Sequence, residues 1–141
     1  MEGDWGGIGR CESVIVYFSH GANSLITIAE TSIFQRKAKE ILRDEEYDDL
    51  VTYLAENPTA GVLVKGGGGI RKLRWRSGGK GKRGGSRVIY FHHSSKMPLY
   101  LLTLYEKNEK DDLSPKDLKE ISTIVKAIKE SWREASGDHS R

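Results

Sequence analysis

One stretch, residues 57–105, constrains the fold of this chain more than any other part of the sequence. It contains ten Lys or Arg residues, whereas all 20 Asp and Glu residues of the 141-residue chain lie outside it. Segments 70–76, 86–93 and 98–105 within it are rich in β-branched and aromatic residues, with Gly-rich or polar turns between them. This pattern predicts an antiparallel meander. Because so much positive charge gathers on a few strands, the expected partner of the sheet is a polyphosphate.

Helical patterns flank the meander on both sides. A strand at 25–30 is followed by apolar residues at helical spacing in 31–43 and again from Asp44, which we expect to cap the second helix. Asn57-Pro58 ends this helix, because a residue before proline is pushed out of the α region. A last amphipathic helix begins at Ser114-Pro115. The order β-α-α-β-β-β-α predicts an α+β domain, with an N-terminal helical hairpin and a C-terminal helix packed on one face of a small antiparallel sheet.

The two ends of the chain carry weaker patterns. Residues 1–24 are expected to form a poorly ordered extension, although the apolar run 14–18 leaves a further strand open, and residues 134–141 should fray. The domain itself is expected to span 25–133. The opening is acidic and unlike a secretory signal, and no apolar run is long enough to cross a bilayer. With Cys11 as the single cysteine, the composition fits a reducing cytoplasm.

Patterns for metal or nucleotide binding are weak. The chain has no C-x-x-C or H-E-x-x-H motif, and adjacent strand residues His92 and His93 should point to opposite faces, so neither a metal nor another cofactor is expected. Residues 79–84 match G-x-G-x-x-G, but a strand follows them where a nucleotide-binding fingerprint needs a helix. We interpret this segment as a flexible hairpin tip.

The basic strand itself suggests chemistry on RNA. Lys72, Arg74 and Arg76 should share one strand face at steps of about 6.6–7 Å, with Arg87 close by on the next strand. Aromatic residues interleave with these cations and could either stack on bases or pack in the core: Trp75, Tyr90, Phe91, Tyr100 and Tyr105. We favour a core position for Trp75 and Phe91. The ribose 2′-OH is an internal nucleophile, so a protein can cleave RNA without metal by stabilising charge and moving protons. Repulsion from neighbouring arginines would favour neutral Lys72 as a general base. The same cations could instead grip phosphates without chemistry.

Three segments resemble a known family. IRKLRWR at 70–76, RGGSRVIY at 83–90 and LTLYEKNEKDDLS at 102–114 are similar, in this order, to segments of the RelE/HigB toxins of type II toxin–antitoxin systems, which belong to the RelE/ParE superfamily. The resemblance extends from about residue 25 to about residue 130. It implies a microbarrel-like α+β fold and a ribosome-dependent endonuclease that cuts mRNA.

The resemblance also implies site residues. Lys72 and Arg74 stand where RelE toxins use two lysines, and Arg87 aligns with an arginine that stabilises the transition state. Asn108 replaces a second arginine, and no tyrosine follows Tyr105, so the acid and base are left open among nearby groups that include His92 and His93. The implied catalytic set is Lys72, Arg74, Arg87, Tyr105 and Lys107. The implied RNA contacts are Arg71, Arg76, Lys80, Lys82, Arg83, Asn108 and Lys110.

The implied partners are a cognate antitoxin, usually encoded by an adjacent gene, together with the ribosomal A site and its mRNA. Promoter DNA would be bound only through the antitoxin complex, and no membrane partner is expected. The last helix could dock a partner or simply pack on the sheet. Two alternatives stay open, because fold alone does not decide function. One is a ParE-like inhibitor of DNA gyrase, and the other is a non-catalytic RNA-binding module or decayed toxin.

Overall fold

The computed structural model describes residues 13–19, 24–77, 85–94, 96–107 and 112–135, with backbone only for 13–19, 24, 25, 134 and 135. The chain is α+β, as predicted. Its elements, in chain order, are β1 (Ser13–Ser19), β2 (Ser24–Glu30), α1 (Ser32–Ile41), α2 (Asp44–Glu56), β3 (Val62–Leu63), β4 (Ile70–Trp75), β5 (Ser86–Phe91), β6 (Leu99–Glu106) and α3 (Pro115–Ala135). None of these helices is long and apolar enough to span a bilayer.

All the strands described form one open sheet in the order β1-β2-β6-β5-β4-β3. The predicted meander is confirmed, since β4 pairs with β5 and β5 with β6, both antiparallel. The expectation of a purely antiparallel sheet is wrong, because β2 lies parallel to β6, with Ile28 opposite Leu99. Local patterns do not specify which strands of different hairpins meet. β1 pairs antiparallel with β2 and occupies the run 14–18 for which a further strand was left open.

Helices cover both faces of the sheet, which corrects the expectation that they pack on one. Along β5, Val88 and Tyr90 join a core cluster with α2 and most of α1. Ile89 and Phe91 join a second cluster with α3. Successive strand residues point to opposite faces, and every residue of β5 is buried. A single layer of helices would therefore have left half of this strand in water.

Local sequence signals account for the helix termini, with one correction at the start of α2. Thr31 caps α1, since its hydroxyl accepts a hydrogen bond from the Phe34 amide at 3.0 Å. It also donates to the carbonyl of Leu102 at 2.8 Å, at the point where a register irregularity interrupts the β5–β6 pairing. The cap of α2 is Arg43 and not Asp44, because the Glu46 carboxylate accepts the Arg43 amide at 2.9 Å. That helix ends at Glu56, as the following Asn-Pro pair predicts.

The placement of α3 leaves part of one sheet face open. Its buried side chains, Ile121, Ile124, Val125 and Ile128, pack with residues that include Ile70 and Phe91, which lie opposite each other on β4 and β5. The helix begins with a reciprocal cap, in which Asp117 N–H donates to Ser114 Oγ at 3.1 Å and Ser114 N–H donates to Asp117 Oδ2 at 3.3 Å. The polar positions at the other end of β4 and β5 lie beyond this apolar contact.

Candidate functional site

A row of polar side chains crosses three adjacent strands at this open end of the sheet. Arg74 on β4 lies opposite Arg87 on β5, and Arg87 lies opposite Tyr105 on β6. Directly paired residues project from the same face, and neighbouring strands are about 4.8 Å apart. Lys72 stands two residues before Arg74 and therefore also on this face. The structure thus brings together four of the five predicted catalytic residues, which we call the basic row: Lys72, Arg74, Arg87 and Tyr105.

Burial differs sharply along the basic row. Arg87 is only 9% exposed and Tyr105 only 3% exposed, and the Arg87 guanidinium donates to the carbonyl of Ser86 at 3.2 Å. Arg74 is exposed, and the Lys72 side chain is 29% exposed. The row therefore combines two side chains held in place by the fold with two cations that reach into solvent.

Asp112 is a member of the site that the sequence analysis did not single out. Its Oδ1 lies 3.0 Å from Lys72 Nζ and accepts the Leu113 amide at 2.8 Å. The hydrogen bond from Lys72 is the main reason that the pKa of Asp112 lies below its usual range, and the Leu113 amide adds to it. Asp112 thus places a carboxylate against the Lys72 ammonium group. The role of Lys72 as a general base stays a prediction.

Tyr105 has the most perturbed ionisation at the site. Burial raises the pKa of its phenol to about 12, and the Asp112 carboxylate adds to the rise, while Arg87 opposes it. The phenol is therefore protonated throughout the neutral range.

Two predicted RNA contacts do not join the basic row. Arg71 lies opposite Tyr90 and so faces the α1–α2 side of the sheet, where its guanidinium donates to the carbonyls of Thr59 and Gly61 at 3.2 and 2.7 Å. Arg76 lies just past the end of β4 and lines a concavity with Glu46, Asp49 and Trp75. The predicted row of three β4 cations therefore stops at Arg74.

The remaining predicted residues lie near the row or outside the described part of the chain. Lys107 directly follows β6, and its backbone N–H donates to the carbonyl of Gly85 at 3.0 Å. Both aromatic residues favoured as core are packed: Phe91 is 1% exposed, and Trp75 donates from Nε1 to the Glu46 carbonyl at 3.0 Å. Five predicted RNA contacts fall outside the described residues: Lys80, Lys82, Arg83, Asn108 and Lys110.

Histidine and acidic residues do not assemble a metal centre in the described ranges, where no group of three or more His, Cys, Asp or Glu side chains could hold an ion. His92 is half-buried, and burial, Arg71 and His93 together lower its pKa. Its Nδ1 has no hydrogen-bond partner among the described residues.

Comparison with known families gives a match over most of the chain. The family model described as the RelE toxin of the RelE/RelB toxin–antitoxin system matches residues 26–135. The matched segment contains every element from α1 to α3, most of β2 and the whole basic row. Since the match covers most of the 141 residues, the chain belongs to the family of RelE toxins of toxin–antitoxin systems.

Proposed function

We propose that this toxin inhibits translation by cutting mRNA in the ribosomal A site, in the cytoplasm, until a cognate antitoxin neutralises it. The observation that carries the proposal is the row formed by Arg74, Arg87 and Tyr105 across three paired strands, with Lys72 beside it. A gyrase inhibitor or a passive RNA-binding protein needs positive charge, but it does not need a buried arginine next to a buried, protonated phenol.

The proposed reaction uses the RNA as its own nucleophile. The ribose 2′-oxygen attacks the adjacent phosphorus, its new O–P bond forms a 2′,3′-cyclic phosphate, and the bond to the 5′-oxygen of the next nucleotide breaks. Negative charge develops on the phosphorane oxygens. Arg87, fixed by burial and by its bond to Ser86, stabilises that charge without reorganising, and Lys72 and Arg74 hold the flanking phosphates.

Two protons must move in this reaction. The 5′-oxygen leaves as an alcohol when Tyr105 donates the proton that its raised pKa retains at neutral pH. The 2′-hydroxyl loses its proton to an acceptor, for which Asp112 is the candidate. Its Oδ1 lies 3.0 Å from Lys72 Nζ of the row. A carboxylate with a lowered pKa is a weak base. This site would therefore depend on the ribosome to orient the 2′-oxygen.

The partners follow from the same charge distribution. The exposed Arg74 and the partly exposed Lys72 give a strand of mRNA that the ribosome presents access to the row. An antitoxin would neutralise the toxin by covering this surface with acidic side chains, and promoter DNA would be reached only through that complex. An interface of opposite charges would also speed the association of toxin and antitoxin.

The test is induced expression in a bacterial host of the wild-type chain, of Arg87→Ala and of a control, Arg36→Ala, which removes an exposed arginine of α1. We expect the wild type and the control to arrest growth and to produce new mRNA 5′ ends inside translated codons, and Arg87→Ala to do neither. Growth arrest without mRNA cleavage would replace the proposal with gyrase inhibition. Absence of arrest, with RNA binding retained, would identify a binding module.

A further inference from the structure

A second group of basic side chains lies at the C-terminal half of α3, away from the basic row. The C-terminal half of α3 and the loop between β5 and β6 enclose a cavity of about 520 Å³. Three of its cations, Lys126, Lys129 and Arg133, recur at helical spacing on α3, and Lys96 faces them from the loop. We call this cavity the basic groove.

The basic groove also has an aromatic wall. Trp132 is half-buried in it and donates from Nε1 to the Tyr100 hydroxyl at 2.7 Å, which fixes the indole ring. Lys129 Nζ lies 5.7 Å from the centre of the Phe91 ring, so its charge is held over the sheet. Glu130 is the one acidic side chain among the described lining residues.

The groove and the row share one face of the sheet. Phe91, beneath Lys129, lies four residues from Arg87 along β5, which corresponds to about 13 Å. Both side chains point to the α3 side, because they differ by an even number of positions. The groove and the row therefore lie on the same side of the sheet, separated by the apolar contact of α3 with residues that include Ile89 and Phe91.

We propose that the basic groove binds single-stranded RNA, with Lys126, Lys129 and Lys96 on backbone phosphates and Trp132 against a base. Cations that line a groove beside an aromatic face form the arrangement that holds unpaired nucleic acid without sequence preference. The choice of RNA as ligand rests on the proposed function. The role of the groove is binding, and it takes no part in cleavage.

The experiment measures binding of a fluorescent 2′-O-methyl oligoribonucleotide by anisotropy over a range of salt concentrations. This RNA has no 2′-OH and cannot be cut, so the result does not depend on catalysis. The test variant is Lys126→Glu with Lys129→Glu. The control is Lys37→Glu with Lys39→Glu, which makes the same charge change on α1.

Each phosphate contact on a single strand contributes about 0.7 to the slope of log affinity against log salt. We expect the groove variant to lower that slope by about 1.4, with affinity at about 0.1 M salt at least tenfold weaker. The control should retain both values. A milder pair, Lys126→Gln with Lys129→Gln, tests the same contacts if the charge reversal unfolds the chain, which circular dichroism would reveal.

Equal losses in both variants would overturn the proposal, because the effect would then follow net charge and not this groove. Unchanged binding in both would overturn it as well. Weakened binding of poly-glutamate with unchanged RNA binding would assign the groove to an acidic protein partner instead. If the chain cuts no mRNA, but the groove variant binds the RNA more weakly and the control variant does not, then the proposed cleavage function fails and the proposed binding site stands.

Discussion

Replacing Tyr105 with Phe removes one hydroxyl group and keeps a ring that is 97% buried. The apolar packing of the ring survives, so the free energy of unfolding should change by about 1 kcal/mol or less. Burial and Asp112 raise the pKa of this phenol to about 12, so the wild type holds the proton at every physiological pH. Positioned general acids contribute about 10²- to 10⁴-fold to a rate. The Tyr105→Phe variant should therefore cut about 10²- to 10⁴-fold more slowly, a barrier increase of about 2.7–5.5 kcal/mol.

The assay is single-turnover cleavage of mRNA on programmed ribosomes, with two substrates. One has the natural 5′-oxygen at the scissile bond, and the other has sulfur there, whose thiolate leaves without protonation. We expect the variant to be slow on the oxygen substrate and close to wild type on the sulfur substrate. Equal deficits on both substrates would refute the role of Tyr105 as proton donor and leave it a structural residue. An undiminished rate on the oxygen substrate would refute any part in the reaction.

Two further predictions concern the surroundings of the row. Asp112 helps to raise the pKa of Tyr105, so Asp112→Asn should lower that pKa. The variant also loses the proposed proton acceptor and should cut more slowly at every pH, and the alkaline fall of its remaining activity should begin at a lower pH than in the wild type. A pH–rate profile on programmed ribosomes checks this, and an unmoved alkaline limb contradicts it. Gly85 has a φ of +51°, and a Cβ there would meet the Trp75 carbonyl oxygen at 2.5 Å. Gly85→Ala should therefore lower the free energy of unfolding by about 1–3 kcal/mol, measured by urea denaturation, and by more than Gly66→Ala, whose Cβ would meet nothing within 4 Å.

Much of the basic row could be predicted from sequence, because it depends on short-range rules. Consecutive strands of a meander pair with each other, and the connections at 76–85 and 92–98 let β4, β5 and β6 do so. Once they are neighbours, alternation decides which side chains share a face. Arg74 and Arg87 are brought together by these two rules alone. The same alternation places Arg71 and Lys72 on opposite faces of β4, so the sequence also indicated that Arg71 does not belong to the row.

The rest of the site depends on contacts that no local pattern encodes. Asp112 meets Lys72 across 40 residues of sequence, and their meeting depends on where α3 begins and how it lies on the sheet. The two-sided helix packing had a signal in the unbroken apolar run of β5 and β6, which is typical of strands buried on both faces. The parallel pairing of β2 with β6 had no signal in the sequence, because each strand would show the same residue pattern beside any other neighbour.

The burial gradient along the row has a physical reason. A cation that stabilises a transition state is most effective when it is fixed before charge develops, but fixing it requires burial, which is costly for a charge without hydrogen bonds. In this chain one arginine, Arg87, is buried and donates a hydrogen bond to the Ser86 carbonyl, whereas Arg74 is exposed and Lys72 is partly exposed. Lys72 pairs with Asp112 at an exposed position, where an ion pair is worth only about 0–1 kcal/mol. Under the proposed function, this pair exists before RNA binds. A bound phosphate can displace so weak a partner. The same carboxylate that holds Lys72 in place would therefore not block the substrate.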